Sequence, residues 1–585
     1  MRDMHSAECR DITTIFKQRL EEHQAKVAQA SLESLRTALG VLDQNDQVES
    51  AYFEVSRLYC SLGRSGEEIA ALEKGIALCP PSARLYRSAI HTLHELNRMG
   101  EAIGLAREAA TKFPDQLYFK FLEHLSLPIL YSDSAEIGRY RQRFSDGLDQ
   151  IARSVKLETP AGRREAFDAL GRHVNFLLAY QGQDDCELQR SYGQLVHQIM
   201  AANYPQWVAP LPMPPDEGKL RIGFLSAFFQ AHSVSKSHLG WLREHDNRRF
   251  QVFAYHIGSK TDAFTDEARH SSDVFLHLTD KFEDVCRVIR ADDLHILVYL
   301  DIGMFPPATQ LAALRLAPVQ AATWGHPITS GLPTVDYFFS SELMEPPEAQ
   351  NYYTETLVNL PGVGICYRKP VIPRPLFYRT RADFGIREDA VVYLSCQSTF
   401  KHLPEQDHAF AELAKRVPNA QFVFIIANDY LEADFRRRLE RAFALAGLTS
   451  DGRLIFVPFP LDWPAYLNLN SVSDVYLDTF EWSGCTTTFE AIACRLPMVT
   501  LPGRFLRGRH TFAILKQMEV TETIARDRAH YVEIAARLGR DPEWRKSLVQ
   551  RMIAAYPRLY EDQRSVRALE AAFEAIVRER RSRRM

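Results

Sequence analysis

The chain has 585 residues, of which 46% are hydrophobic and 25% are charged, a composition typical of folded globular proteins. At roughly 150 residues per domain this length predicts three or four domains and excludes a single small binding module. The 70 Lys and Arg against 74 Asp and Glu leave a net charge of -4. That balance excludes a global positive field for nucleic acid or an acidic membrane surface.

The nine cysteines are odd in number, widely scattered and without a C-x-x-C pair. They therefore indicate neither a disulfide framework nor a zinc site. The first residues lack the apolar core of a signal peptide, and no apolar run approaches the ~20 residues that cross a bilayer. We expect a cytoplasmic protein with no metal, no membrane and no nucleic-acid partner, and a homo-oligomer is compatible with the sequence.

The first 205 residues predict an all-α region, because apolar residues recur at helical spacing and β-branched runs are missing. Two stretches match at an offset of 34 residues, as Leu62 does with Leu96. This offset is the period of tetratricopeptide repeats. A degenerate third repeat is predicted around Leu32–Asn45. Since repeat helices need neighbours to bury their apolar faces, we expect the helices through Tyr192–Met200 to complete the stack.

A linker with five prolines, Ala201–Lys219, separates the helical region from a stretch in which β-rich and helical segments alternate. This alternation predicts a parallel sheet with flanking helices. The β-rich segments are Arg221–Phe229, Phe250–Gly258, His295–Asp301, Val319–Pro327 and Val335–Ser341.

A second proline-rich joint, Lys369–Thr380, precedes a second alternating set that runs from VVYLSC to PMVTLP. The sequence therefore predicts an α/β protein with a tetratricopeptide-like region at 1–205 and Rossmann-like domains at 219–372 and 380–585. Two such domains that face each other form a cleft where the carboxyl ends of their strands converge, which is the usual place for a ligand.

The most specific segment is Asp474–Gly503, in which a strand ends at Asp478 and a helix is predicted from near Thr488 to Cys494. Helix-start amides, the positive end of the helix dipole and nearby hydroxyls would form a phosphate cradle. Glu490 follows in the first turns, within reach of a ribose diol. The alternative is an ordinary helix cap after a strand. The connecting loop contains Ser483, Gly484, Cys485, Thr486 and Thr487.

This loop and the segment Trp324–Pro361, which begins WGHPITSG, resemble glycosyltransferase family 41, the O-linked N-acetylglucosamine transferase/SPINDLY family. The resemblance extends in the same order to Arg221–Leu239, Leu294–Met304 and Ser395–Gln406, with tetratricopeptide-type helices ahead of it. It implies a GT-B architecture of two Rossmann-like domains, a nucleotide-sugar donor and no metal or other cofactor.

The resemblance also assigns roles to individual residues. His232 matches a histidine near the acceptor hydroxyl and the sugar, as a base or as a positioning group, and Lys401 matches a lysine that contacts the diphosphate. Thr486 and Thr487, beside Gly484, match the diphosphate-binding loop. Glu490 matches an acidic position that contacts the ribose.

Other positions keep two interpretations. The loop of His326, Thr329, Ser330 and Gly331 is next to the sugar in the family or is a structural turn. Asp262 matches an acidic residue on the acceptor side or caps a loop.

On the nucleotide side, Gln397 is a candidate hydrogen-bond partner. Tyr466 is positioned to stack on the base or to pack on a helix face. Two residues depart from the family pattern: Cys485 replaces a common histidine and Thr488 replaces a glycine. These departures change the pocket around the phosphate or the sugar, so alternatives for the nucleotide sugar stay open.

These assignments predict an inverting protein O-glycosyltransferase that transfers N-acetylglucosamine from UDP-GlcNAc to Ser or Thr of a protein or peptide. Two alternatives keep the fold: O-fucosyl transfer from GDP-fucose, or N-glucosyl transfer from UDP-glucose to Asn. An alternative of another class is a non-catalytic tetratricopeptide scaffold that binds nucleotide. The joint presence of His232, Lys401, Thr486 and Glu490 opposes the scaffold.

Overall fold

The computed structural model describes residues 29–42, 45, 48–215, 218–372, 379–459 and 461–582. It has a helical region followed by two parallel α/β sheets, in agreement with the predicted GT-B arrangement. In the described residues, no helix combines the length and the apolarity that a bilayer crossing requires.

The helical region shows the predicted 34-residue period. Helices α2 and α4 begin at Glu49 and Ala83, and helices α3 and α5 begin at Ser65 and Met99. A Cβ atom on Gly75 would lie 2.8 Å from Cβ of Tyr52, so this position needs a small residue where α2 and α3 meet. The helices are α1 (residues 29–42), α2 (Glu49–Ser61), α3 (Ser65–Leu78), α4 (Ala83–Glu95), α5 (Met99–Lys112), α6 (Leu117–Leu125), α7 (Ser134–Ser154), α8 (Pro160–Leu170) and α9 (Cys186–Asn203).

Residues of the helical region belong to several hydrophobic cores, of which two are large. Tyr52, Leu72 and Tyr86 belong to a core formed by the repeat helices and Phe119 of α6. Farther along, residues of α6–α9 share one continuous core with the first sheet, as Phe144 and Ile199 do with Ile222 and Tyr299. The helices from α6 onward therefore join the repeats to the α/β part.

The first sheet has seven parallel strands in the order β3-β2-β1-β4-β5-β6-β7. Strands β3 and β7 were not predicted. They form the two edges and are partly exposed, so they lack the continuous apolar run of central parallel strands. The elements are β1 (Leu220–Ser226), α10 (Ser233–Arg243), β2 (Phe250–His256), α11 (Ala263–His270), β3 (Val274–His277), α12 (Phe282–Ala291), β4 (Ile296–Tyr299), α13 (Pro306–Ala312), β5 (Val319–Thr323), β6 (Tyr337–Ser341) and β7 (Thr356–Leu360).

The second sheet has five parallel strands in the order β10-β9-β8-β11-β12. Each predicted β-rich segment of this half contains one of these strands. The elements are β8 (Val391–Ser395), α14 (Asp407–Arg416), β9 (Ala420–Ile426), α15 (Asp429–Leu445), β10 (Leu454–Pro458), α16 (Trp463–Val472), β11 (Val475–Leu477), α17 (Thr486–Ala493), β12 (Met498–Val499), α18 (His510–Met518), α19 (Arg528–Arg540), α20 (Pro542–Ala554), α21 (Tyr556–Leu559) and α22 (Arg564–Ser582).

The predicted domain bounds, 1–205, 219–372 and 380–585, stay a prediction. Helix α22 belongs by sequence to the third predicted domain but packs on the sheet of the second. Phe573 of this helix packs against Phe224, Phe250 and Phe339 of the first sheet, with ring centroids 6.4, 6.3 and 5.4 Å away. The C-terminal helix therefore covers the first sheet, although its sequence follows the second.

Two local boundaries differ from the predictions. Helix α9 continues to Asn203, so the linker is shorter than Ala201–Lys219. Helix α17 begins at Thr486, not near Thr488, because Cys485 takes the N-cap position. The threonines of the loop therefore lie in the first helical turn. Residues 373–378 of the second joint lie outside the described residues.

Candidate active site

The candidate site is a cavity of about 220 Å³ between the two sheets. Its walls include the segments that follow β1 and β5 in the first sheet and β8 and β11 in the second. Open parallel sheets bind ligands at this end of the strands, as the sequence predicts here. The predicted site residues that line it are His232, His326, Lys401, Cys485, Thr486 and Thr487.

His232 occupies the N-cap position of α10. Its Nδ1 accepts a hydrogen bond of 3.2 Å from the backbone N–H of Val234, and its ring stacks on Phe228 with centroids 4.3 Å apart. Burial, and then the charge of Lys236, lower the pKa of His232 to about 4. The ring is therefore neutral near pH 7, with its proton on Nε2 because Nδ1 is the acceptor. In this state the Nε2–H of His232 is available as a hydrogen-bond donor.

Lys401 ends a 3-10 turn that follows β8. Its Nζ donates a hydrogen bond of 2.9 Å to Oε1 of Gln397, and Nε2 of Gln397 donates one of 2.8 Å to Oγ1 of Thr487. Burial lowers the pKa of Lys401 to about 8, so the ammonium still predominates at neutral pH. Gln397 stays behind the cavity wall and joins the ammonium to the start of α17.

Asp478 holds the loop after β11 in place. Its Oδ1 accepts from the N–H of Gly484 at 2.8 Å, and its Oδ2 accepts from the hydroxyls of Ser483 at 2.6 Å and Thr500 at 2.7 Å. A Cβ atom on Gly484 would lie 2.2 Å from the Tyr476 hydroxyl, so only glycine fits there. Burial raises the pKa of Asp478 to about 6 despite these hydrogen bonds.

Thr486 and Thr487 at the start of α17 line the cavity. Its first helical hydrogen bond runs from the N–H of Thr488 to the carbonyl of Cys485 at 2.9 Å, so the amides of Thr486 and Thr487 precede the helical ladder. The hydroxyl of Thr488 donates to the carbonyl of Gly484 at 2.9 Å, which stabilises the same loop. Burial raises the pKa of the Cys485 thiol to about 12 and keeps it protonated.

Glu490 lies one turn farther along α17 and forms an ion pair across the cleft. Its Oε1 accepts from Nζ of Lys236 on α10 at 2.7 Å, and Lys236 lies 4.2 Å from the ring centroid of Trp463. Burial raises the pKa of the Glu490 carboxyl, and the charge of Lys236 opposes this rise. Lys236, Tyr466 and Trp463 line a second cavity of about 1340 Å³, which the turns of the repeat helices also border.

Asp262 lies outside the cavity wall and supports the loop of His232. Its Oδ1 accepts from the N–H of Phe264 at 2.8 Å and caps α11, and its Oδ2 accepts from the N–H of Ala231 at 2.6 Å. Ala231 immediately precedes His232. Asp262 therefore positions the loop of His232 from behind.

Thr329, Ser330 and Gly331 also lie away from the cavity. The Thr329 hydroxyl donates to Oε2 of Glu355 at 2.6 Å, and the N–H of Ser330 donates to Oε1 of the same carboxylate at 2.8 Å. Gly331 has a φ of 70° and lies against α9, where a Cβ atom would be 1.9 Å from the Gln189 carbonyl. This loop therefore fixes α9 to the first sheet.

Sequence reasoning did not single out several residues that the structure places at the site. One feature of the sequence could have indicated Lys236. It follows His232, the N-cap residue of α10, by four residues, a spacing that brings side chains to the same side of a helix. Asp478 was seen only as the end of a strand. The aromatic wall residues Trp324 and Trp482 lie in segments that carry the family resemblance but were given no role there, and for His510 no local pattern indicates one.

The electrostatics of the smaller cavity favour an anion. Among the described residues that line this cavity, Lys401 carries a positive charge, and none is an aspartate or a glutamate. The N-terminal end of α17 adds positive potential at the same place. In the described residues, no group of three or more His, Cys, Asp or Glu side chains is placed to hold a metal ion.

The model of the family described as "Glycosyl transferase family 41" matches residues 177–365 and 369–562 of the chain, which is more than half of it. The chain belongs to glycosyl transferase family 41. The family match begins upstream of β1, within the helical segment that shares a core with the first sheet. It ends before α22.

Two relatives of this family 41 chain come from Arabidopsis thaliana. The protein named "Probable UDP-N-acetylglucosamine--peptide N-acetylglucosaminyltransferase SPINDLY" is 28% identical over 390 residues, which are 64% of this chain and 41% of the relative. The protein of the same activity named SEC is 26% identical over 356 residues, 58% of this chain and 34% of the relative. The chain thus spans between about a third and two fifths of the length of these two relatives.

A solved structure, that of a point mutant of the Thermobaculum terrenum O-GlcNAc transferase, has the same fold. Its TM-score to this chain is 0.68 at 23% sequence identity, and the alignment covers 96% of this chain and 97% of that one. The family 41 chain therefore has the fold of that transferase from the helical region to the second sheet.

Proposed function

We propose that the chain is an inverting, metal-independent protein O-glycosyltransferase that transfers N-acetylglucosamine from UDP-GlcNAc to Ser or Thr hydroxyls. The observation that carries this proposal is the meeting of the Lys401 ammonium and the start of α17 at one cavity without a lining carboxylate. Such a site is complementary to the diphosphate of a nucleotide sugar.

In the proposed reaction, the acceptor oxygen forms a bond to the anomeric carbon from the face opposite the diphosphate. The bond between that carbon and the phosphate oxygen breaks, and the nucleoside diphosphate leaves with the electron pair. Lys401 and the amides of Thr486 and Thr487 stabilise the negative charge that develops on the leaving group. These groups supply positive charge without a metal or another cofactor.

His232 acts in this proposal as a positioning group. Its Nδ1 is engaged by the Val234 amide, so the neutral ring orients an oxygen atom through Nε2–H. The proton of the attacking hydroxyl leaves through water in the cleft. The larger cavity next to Tyr466 and Lys236 receives the nucleoside, and the turns of the repeat helices border it where a protein acceptor would approach.

The donor is proposed by analogy with the relatives SPINDLY and SEC, whose names specify UDP-N-acetylglucosamine and a peptide acceptor. We also propose that the chain works in the cytoplasm. The cysteines in the described residues are free thiols, which suits a reducing compartment.

The proposal is tested by thermal shift with UDP, GDP, UDP-GlcNAc, UDP-glucose and GDP-fucose, followed by mass spectrometry of proteins that are co-expressed with the chain. We expect the largest shifts with UDP and UDP-GlcNAc, and a HexNAc mass on Ser or Thr. Shifts with GDP alone would replace the donor by GDP-fucose, and a hexose on Asn would replace the acceptor. Shifts with nucleotide but no sugar on any co-expressed protein would leave the nucleotide-binding scaffold, and no shift with any nucleotide would contradict a nucleotide site altogether.

Lys401→Ala is expected to lower transfer at least about 100-fold, since removal of one transition-state charge partner has effects of this size. The matched control is Lys415→Ala, which removes an exposed lysine paired with Glu412. Transfer by the Lys401 variant at the rate of the control would remove Lys401 from the mechanism.

A further inference from the structure

The smaller cavity has polar atoms in its wall that have no protein partner. Nε1 of Trp324, Nε2 of His326 and both ring nitrogens of His510 make no hydrogen bond within the described residues. These side chains are only 3%, 2% and 3% exposed. All three line the same cavity.

Unpaired buried polar atoms are rare in native proteins, because a donor or acceptor that loses water without gaining a partner is destabilising. Here four such atoms belong to side chains that line one cavity together with Lys401. The cavity is polar and large enough for water, which can fill it until a ligand displaces it. The arrangement is that of a preformed binding site with few, directed polar groups.

His510 is held rigidly relative to the diphosphate loop. It begins α18, and the next residue, Thr511, donates from its N–H to Oγ of Ser483 at 2.8 Å and from its hydroxyl to the carbonyl of Gly484 at 3.1 Å. The His510 ring lies 5.7 Å from that of Trp324, measured between centroids. His510 therefore lines the cavity next to the loop of Ser483 and Gly484.

The protonation state of His510 indicates the chemistry of its partner. Burial and the charge of Lys401 lower its pKa to about 3, against a smaller opposing effect of the Ser483 backbone. The neutral ring offers one donor and one acceptor. A phosphate oxygen only accepts, whereas a sugar hydroxyl both donates and accepts. Phe176 and Trp482 supply apolar walls for a sugar ring in the same cavity.

We propose that His510 is a specificity-determining residue that hydrogen-bonds a hydroxyl group of the transferred sugar. This inference rests on the proposed function, because it requires a nucleotide-sugar donor. The diphosphate binds Lys401 and α17, and the sugar bonded to it extends toward Trp324 and His510. His510 thereby distinguishes donors that differ in one hydroxyl, while the bare nucleotide does not contact it.

The test compares His510→Phe with the unaltered chain by calorimetric titration of UDP and of UDP-GlcNAc, with GDP and GDP-fucose titrated in parallel. We expect the Kd for the nucleoside diphosphate to stay within about twofold. The Kd for the matching nucleotide sugar should rise about tenfold or more, as expected when a site built to hydrogen-bond a hydroxyl loses its partner. The difference between UDP-GlcNAc and its 4-epimer UDP-GalNAc should shrink.

Stability and a matched variant separate a binding role from a structural one. The melting temperature of His510→Phe without ligand should equal or exceed that of the unaltered chain, because two unpaired nitrogens are removed. His402→Phe is the control: His402 is also 3% exposed with both nitrogens unpaired, but it packs on Phe424 and Phe435 outside the cavity. We expect it to leave both affinities unchanged. His510→Gln, which keeps a donor and an acceptor, should restore part of the sugar affinity.

Three results would overturn the role of His510: equal losses for nucleoside diphosphate and nucleotide sugar, no loss for either, or the same selective loss in His402→Phe. Failure of the proposed function has a different signature. If the unaltered chain binds GDP and GDP-fucose in place of the UDP pair, the donor is wrong and the selective effect of His510→Phe still decides this inference. If it binds no nucleoside diphosphate, both are wrong.

Discussion

His232 and Lys401 have pKa values that depart from those of exposed side chains because both are buried at the cavity. The pKa of His232 is lowered to about 4 and that of Lys401 to about 8. The family-like segments Arg221–Leu239 and Ser395–Gln406 single out these two residues in the sequence. Their pKa values depend on burial and, for His232, on the charge of Lys236, and neither effect can be seen in those segments.

We therefore expect kcat/KM to be constant between about pH 5.5 and 7.5 and to fall above about pH 8, since the pH dependence of kcat/KM reports the free enzyme. His232 stays neutral across the plateau, and the fall reflects loss of the Lys401 ammonium. The measurement is initial-rate transfer at low donor concentration from pH 5 to 10. A decline centred near pH 6.5 would show that His232 titrates as an exposed histidine.

Lys401→Arg gives the control for the alkaline fall. A guanidinium remains charged throughout this range, so the residual activity of this variant should lack the fall above pH 8. Because the unfolded state binds the Lys401 proton more tightly, the same pKa shift makes stability rise with pH between about 8 and 10.5.

Strand β11 has an aspartate immediately outside each of its ends, and the two have different roles. Asp478 at the carboxyl end holds the phosphate loop through Gly484 and Ser483. Asp474 at the other end pairs with Arg381 at 3.0 Å and Arg545 at 3.3 Å, away from the cavity. The two aspartates form a matched pair for mutation.

Asp478→Asn is expected to weaken UDP binding about tenfold, because the amide nitrogen cannot accept the hydrogen bonds that the second carboxylate oxygen accepts. Asp474→Asn should lower the melting temperature and leave the Kd for UDP unchanged, since it breaks ion pairs remote from the loop. Calorimetric titration and thermal denaturation of both variants measure this. Equal UDP affinities in the two variants would contradict a role of Asp478 in shaping the loop.

At the scale of the elements, the central strands and the repeat helices were predictable because each carries a local pattern. The start of α17 was placed two residues late, because Thr488 was taken as the first helical residue when Cys485 already occupies the N-cap. The edge strands β3 and β7 were missed because half-exposed strands have weak apolar patterns.

Over the whole molecule, the repeat helices and the α/β part differ in how they are joined. Helices α2–α5 have their own core and contact the second sheet's domain through polar turns, as Asn97 does with Asp434 at 3.2 Å and Asn428 with the Glu95 carbonyl at 3.2 Å. Helices α6–α9 share the core of the first sheet. Deletion of α2–α5 alone should therefore affect folding of the α/β part much less than a deletion that also removes α6–α9.

Deletion of residues 1–113 should leave a cooperatively folded protein whose Kd for UDP changes less than about threefold. Glycosylation of protein acceptors should fall much more than that of a short peptide, because the turns that border the larger cavity are gone. Deletion of residues 1–205 should abolish soluble expression, since it exposes the apolar face of the first sheet. A soluble, UDP-binding product of the longer deletion would contradict the shared core.

The sequence by itself determined the helical repeat, the two parallel sheets and the family. It also showed that His232, Lys401 and the Gly484–Thr487 loop resemble functional residues of that family. It could do so because periodicity and short motifs are local properties. Only the tertiary structure decided that Glu490 pairs with Lys236, that Asp262 and Thr329 support loops outside the cavity, and that His510, with both nitrogens unpaired, lines it. Burial and contacts between residues far apart in the chain set those properties, and no local pattern encodes them.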